Sequence, residues 1–211
     1  MAIQVQGNGG TTQEVDATFR AARVTLRPLE VINWQSLSGA SGALTVVAAA
    51  GNVFSFRNTG ANPILVREVR IGFGTTTAFT AAQSLFYTMF KCTGFTVSDS
   101  GGTALYTAGA NKHRESFTNI TSAPDIRIST TGALTAGTRT VQTQGLGNAC
   151  GSSTAVGTSM QNIALFSTNP GEYPLYLAQN EGFVIQNDVV MGAAGVIRLQ
   201  VKVEFAEVTS Y

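Results

Sequence analysis

The segment from Val196 to Val208 keeps a strict two-residue period, and this most constrains what the chain can fold into. Ile197, Leu199, Val201, Val203 and Phe205 form one apolar row, with Arg198, Gln200, Lys202 and Glu204 between them. A β-strand sends successive side chains to opposite faces, so the segment predicts a long strand with one dry face and one wet face. A dry face of that length needs paired neighbours and a second layer to cover it.

The rest of the chain supplies those neighbours. Strands are predicted at Val53–Arg57, Pro63–Phe73, Leu85–Phe95, Asp125–Ser129, Thr138–Thr143, Gln161–Ser167, Pro174–Ala178 and Gly182–Met191. Turn chemistry separates them at Asn58-Thr-Gly60, Asn62-Pro63, Ser100-Gly-Gly102 and Asn169-Pro-Gly171. About nine strands with regular turns in a chain of this size predict an all-β fold, a β-sandwich of jelly-roll-like form. Residues 36–211 are assigned to that single domain, and residues 1–35 to an extended N-terminal arm. Arg20, Arg23 and Arg27 on the arm, with Trp34 just after them, are its candidate interface residues. Gly132–Thr158 is rich in Gly, Ser, Thr and Ala, and apart from Thr138–Thr143 it is expected to be a surface loop. No repeat with a period of 20–50 residues is evident.

Composition narrows the function. Charged residues make up 12% of the 211, about half the ~25% usual in soluble domains. The polar load falls on Thr 27, Ser 15, Asn 12 and Gln 11, together 65 residues. The formal net charge is +1, whereas a protein that holds nucleic acid through its phosphates carries a basic excess. No nucleic-acid partner is therefore expected. Low net charge gives little repulsion between copies, so self-association is expected, with an apparent melting temperature that rises with concentration. Met1–Gly10 has neither a basic nor an apolar signal region, and the most apolar window, Ala43–Ala50, is far too short to span a bilayer. No membrane role is expected.

Catalytic patterns are sparse. His113 is the only histidine and has no GxSxG elbow to serve, so a solvated loop position is expected. Gly145–Gly151 (GLGNACG) has the look of a phosphate cradle but lacks the following Lys-Ser/Thr, which predicts a flexible loop. Cys92 and Cys150, 58 positions apart, are expected to be free, partly buried thiols. Glu172, Glu181 and Asp188 are the acidic residues open to a glycosidase-type pairing, which sequence spacing alone neither makes nor forbids. Asn119-Ile-Thr121 fits a glycosylation sequon without a secretory signal to use it. No catalytic residue, cofactor site or metal site is assigned. Phe54, Phe56, Phe73, Phe86, Phe90, Phe95, Phe183 and Phe205 are expected in the core.

Taken in order, RVTLRPLE, VFSFRN, VREVRIGF, DIRIS followed by TAGTRT, and LAQNEGFVI with VKVEFAEV resemble a group of tailed-bacteriophage virion structural proteins. That resemblance spans most of residues 20–208. It implies a non-enzymatic β-sandwich subunit of the phage particle, such as a decoration (cement) protein on the capsid exterior, made in the host cytoplasm. The implied partners are the major capsid protein and further copies of itself, as a homotrimer. A jelly-roll shell subunit of a non-tailed virus and a tail or fibre module binding a receptor or glycan are the alternatives. A small glycan hydrolase is the remaining one.

Overall fold

The computed structural model describes residues 33–113, 118–153, 155–157, 159–168 and 172–208. Arg20, Arg23 and Arg27 lie outside the described residues, as does the 1–32 part of the expected arm. What is described belongs to one unit that begins at Asn33. Among the described residues there is no helix.

Eleven strands are present: β1 (Gln35–Ala40), β2 (Gly51–Arg57), β3 (Ile64–Thr77), β4 (Gln83–Thr93), β5 (Thr103–Ala104), β6 (Asp125–Ile128), β7 (Thr140–Ser153), β8 (Ser159–Ser167), β9 (Leu175–Leu177), β10 (Gly182–Asn187) and β11 (Val196–Glu207). They form two antiparallel sheets. One runs β1-β11-β3-β8, with β9 also pairing β3; the other runs β5-β6-β2-β10-β4-β7. Set aside β5, β6 and β9 and number the remaining eight strands along the chain. The first sheet then reads 1-8-3-6 and the second 2-7-4-5. Those two interleaved orders define a jelly roll, an eight-stranded double-sheet sandwich of two Greek keys.

The predicted alternation of β11 holds from Ile197 to Val203 and then breaks: Glu204, expected on the wet face, is buried, and the pairing with β3 shifts register between Glu204 and Phe205. Ile197, Leu199, Val201, Val203 and Phe205 are buried, while Arg198 and Gln200 are exposed. β11 lies between β1 and β3, pairing Leu37 with Val203 and Ile71 with Val201. From the other sheet Phe54, Phe56 and Phe183 stack, with Phe56–Phe183 centroids 5.2 Å apart. Phe205 meets Phe56 edge-on at 5.3 Å, so aromatic contact joins the two layers through the middle of the core.

Two expectations fail at β7 and β4. Gly145–Gly151 is not a loop: it belongs to the 14-residue strand β7, with Phe86 opposite Cys150 and Tyr87 opposite Ala149. Its glycines serve packing, since a Cβ on Gly147 would collide with the carbonyl of Leu165 on β8. On β4, Leu85, Tyr87 and Met89 take the inner face, which turns Phe86 outward to 40% exposure and leaves Phe90 half-buried. Phe90 instead joins Val184, Cys92 and Phe95 in a small second cluster.

Candidate functional site

His113, Glu181, Asp188 and the two cysteines each sit on a different segment of the fold. His113 is exposed, at the end of the segment whose Lys112 bridges Gln35. Glu181 and Asp188 flank the two ends of β10, seven positions apart. At ~3.3 Å per residue that is roughly 23 Å, well beyond the ~5–9.5 Å of a glycosidase pair. Glu181 pairs with Lys91 at 3.2 Å and accepts from the Ala178 N–H at 2.9 Å, and Asp188 accepts from the Thr88 hydroxyl at 2.5 Å. Each is engaged by a neighbour on its own side of β10. Cys92 is buried and Cys150 exposed, both free, so the expectation of partial burial fits neither. Burial pushes the Cys92 thiol up to about 11, the wrong direction for a nucleophile. Among the described residues, no group of three or more His, Cys, Asp and Glu is placed to hold a metal ion.

Trp34, assigned above to the arm, is packed into the body. It is 4% exposed, and the Arg67 guanidinium lies 4.7 Å from its ring centroid. Arg67 begins a ladder of charges on the outer face of the first sheet. Its Nε donates to Glu204 Oε2 at 2.6 Å; Lys202 Nζ lies 2.7 Å from Glu204 Oε1 and 3.2 Å from Glu68 Oε2; Arg70 Nε donates to Glu68 Oε1 at 2.6 Å. Burial works against the Glu204 carboxylate, yet the hydrogen bonds from Lys202 and Arg67 hold its pKa below the ordinary glutamate value. The Glu204 hydrogen bond in turn raises Lys202. A second charged pair, Asp99 with Arg139, is almost wholly buried beside Phe95; Asp99 also accepts from the Gly137 N–H at 2.8 Å. Arg57 donates to Ser98 and Asn180 nearby, each at 2.9 Å.

These groups occupy the half of the sandwich where β2, β4 and β11 end and β1, β3, β7 and β10 begin. Among the described residues the opposite end is built from four loops: 41–50, 78–82, 155–157 and 188–195. Strand pairing brings them together, since Ala40 opposes Gln200, Val196 opposes Thr77, Gly51 opposes Asn187 and Gln83 opposes Ser153. Hydrogen bonds lock the loops to one another and to the strand ends. Met191 N–H donates to Val47 O at 2.9 Å, Gly192 N–H to Gln83 Oε1 at 2.8 Å and Gly157 N–H to Thr75 O at 3.0 Å. Gly195 lies so close to the Phe79 ring that no Cβ fits there.

This apex carries one charged residue, Asp188, in four loops. Its surface is apolar instead. Val46 is 62% exposed, Val156 63%, Val190 54% and Val189 39%, and Ala48, Ala49, Ala50, Ala81, Ala82, Ala193 and Ala194 are exposed around them. Exposed valines and alanines with a single charge among them are the usual composition of an interface centre and unusual for a solvated loop end. Sequence reasoning singled out Ala43–Ala50 only as the most apolar window, and missed that strand pairing sets it beside the other loops. No protein-family model matches the chain, and no curated protein shows significant similarity to it.

Proposed function

We propose that the chain is a non-enzymatic structural subunit of a phage particle, a decoration (cement) protein that binds the major capsid protein on the capsid exterior and associates with itself as a trimer. The observation that carries this is the apex: a rigid, hydrogen-bonded loop end with exposed valines and a single charge. Rigid loops lose little entropy on docking, and uncharged apolar surface loses little by leaving water. The jelly roll beneath holds that surface in shape.

The test is incorporation. Particles lacking the protein are incubated with the full chain and with a Val46→Asp/Val190→Asp variant, and bound copies are counted by quantitative gel. The expected result is saturable binding by the parent and at least tenfold less by the variant at unchanged circular dichroism. Equal binding by both removes the apex from the interface, and no binding by either overturns the proposal.

One observation favours a second reading. The 1-8-3-6 and 2-7-4-5 strand order suits a subunit that tiles a closed shell on its own. Electron microscopy of the concentrated chain separates the two, since a shell subunit forms closed particles without a capsid partner.

A further inference from the structure

β7 is the longest strand at the margin of either sheet. It pairs with β4 on one side and with no described strand on the other. Other margins are shorter or covered. β5 has two residues, β9 three and β8 nine, against the fourteen of β7. The free side of β1 is taken by 111–113, where Ser36 N–H donates to Asn111 O at 2.9 Å and His113 N–H to Trp34 O at 3.2 Å. Long open edges are normally blunted by lysine or proline. β7 (TVQTQGLGNACGSS) contains neither, and no charged residue at all. Between Val141, opposite Cys92, and Gly145, opposite Phe90, three residues (Gln142, Thr143, Gln144) face Lys91 alone. All three are exposed, with more backbone donors and acceptors than β4 has partners for.

The chain contains a second copy of this pattern. Residues 3–9 read Ile-Gln-Val-Gln-Gly-Asn-Gly and residues 141–147 read Val-Gln-Thr-Gln-Gly-Leu-Gly. Both glutamines and both glycines coincide, and β-branched residues fill the first and third positions of each. Residues 1–13 carry no charged side chain. Paired side by side, the two segments place Gln4 and Gln6 opposite Gln142 and Gln144, directly in the parallel sense and exchanged in the antiparallel one. Amide ladders of this kind support strand pairing, and no like charges meet. The 24 positions from Gly9 to Asn33 reach up to roughly 80 Å when extended, against roughly 46 Å for the 14 residues of β3, so another copy is within range.

We propose that residues 3–9 of one copy add as a strand to the open β7 edge of a neighbouring copy, a β-augmentation that links subunits. This rests on the reading that the chain self-associates. Both pairing senses set Val5 opposite Thr143, about 4.5–5.5 Å apart between Cα atoms, within disulfide range.

The test mixes two full-length chains, each in a Cys150→Ser background. One carries Val5→Cys and the other Thr143→Cys. The expected result is a disulfide-linked heterodimer under mild oxidation, formed at least tenfold faster than when the Val5→Cys chain meets a chain with native Thr143 and Cys150. Gln144→Lys in the Thr143→Cys chain should slow it at least tenfold, with circular dichroism unchanged. Equal rates for both pairings, or a double Val5→Cys/Thr143→Cys chain that closes only on itself, overturn the inference. Sedimentation separates this failure from failure of the broader reading. A chain that self-associates without the cross-link loses only the strand addition, and a chain that stays monomeric at every concentration loses both.

Discussion

The two ends of the sandwich solve the same problem in opposite ways. The basal half secures its turns with charge: Lys91–Glu181, Asp99–Arg139 and Arg67–Glu204 all lie there or on the adjoining face. The apex is secured by backbone hydrogen bonds and close glycine packing, with its one carboxylate held by Thr88. Charge at the base spends its interactions inward and leaves little to offer a partner. At the apex Leu44, Val47, Phe79 and Met191 are buried, while Val46, Val156, Val189 and Val190 stay exposed and open to a partner. A folded chain that needed only to stay dissolved would put its charges on its loops, and this chain has done the reverse.

The largest test of that contrast is at the buried basal pair. Removing one member of a buried ion pair leaves an uncompensated charge and costs about 3–5 kcal/mol. Arg139→Ala should therefore lower unfolding stability in urea by that amount. The Asp99→Ala/Arg139→Ala double variant should recover part of it, because nothing charged is then stranded. A double variant as unstable as the sum of the singles would mean the two residues act separately.

Next in size is Glu204. Hydrogen bonds to charged groups contribute about 1.5–3 kcal/mol, and Glu204 accepts from both Arg67 and Lys202. Its folded pKa lies below the unfolded one, so this contribution is fully present above the unfolded value of ~4.3 and is lost as pH falls through the folded value. Glu204→Gln should lower stability at neutral pH and flatten the acid-side loss. An unchanged stability–pH curve would place the ladder on the surface in energetic terms.

How much of this was legible beforehand follows the range of each interaction. Period-two burial in β11 depends on neighbours along the chain, and its strand emerged intact. Only the start of the strand Thr140–Ser153 was expected, within Thr138–Thr143; the rest was hidden because glycine, threonine and glutamine carry almost no hydrophobic period, and its pairing with β4 is set some 60 positions away. Phe86 and Phe90 look like Phe54 and Phe56 in sequence, and only the placement of Leu85, Tyr87 and Met89 inside turns them out. Asp99 and Arg139, 40 positions apart, sit in segments without any period. The apex is the extreme case: four loops, of which only Ala43–Ala50 stood out alone, come together only through the jelly-roll order.

The smallest expected effect on folding is also the most telling. The apical valines are exposed in the isolated subunit, and exposed substitutions away from special features change stability by no more than about 0.5 kcal/mol. Val46→Asp and Val190→Asp, measured singly in dilute protein, should leave the urea midpoint where it was. At high concentration the parent should melt later than when dilute, and both variants should lose that concentration dependence, because mass action stabilises only what still associates. A variant that falls in stability at every concentration would show the apex to be part of the fold's own support, and the contrast between the two ends would then be one of composition alone.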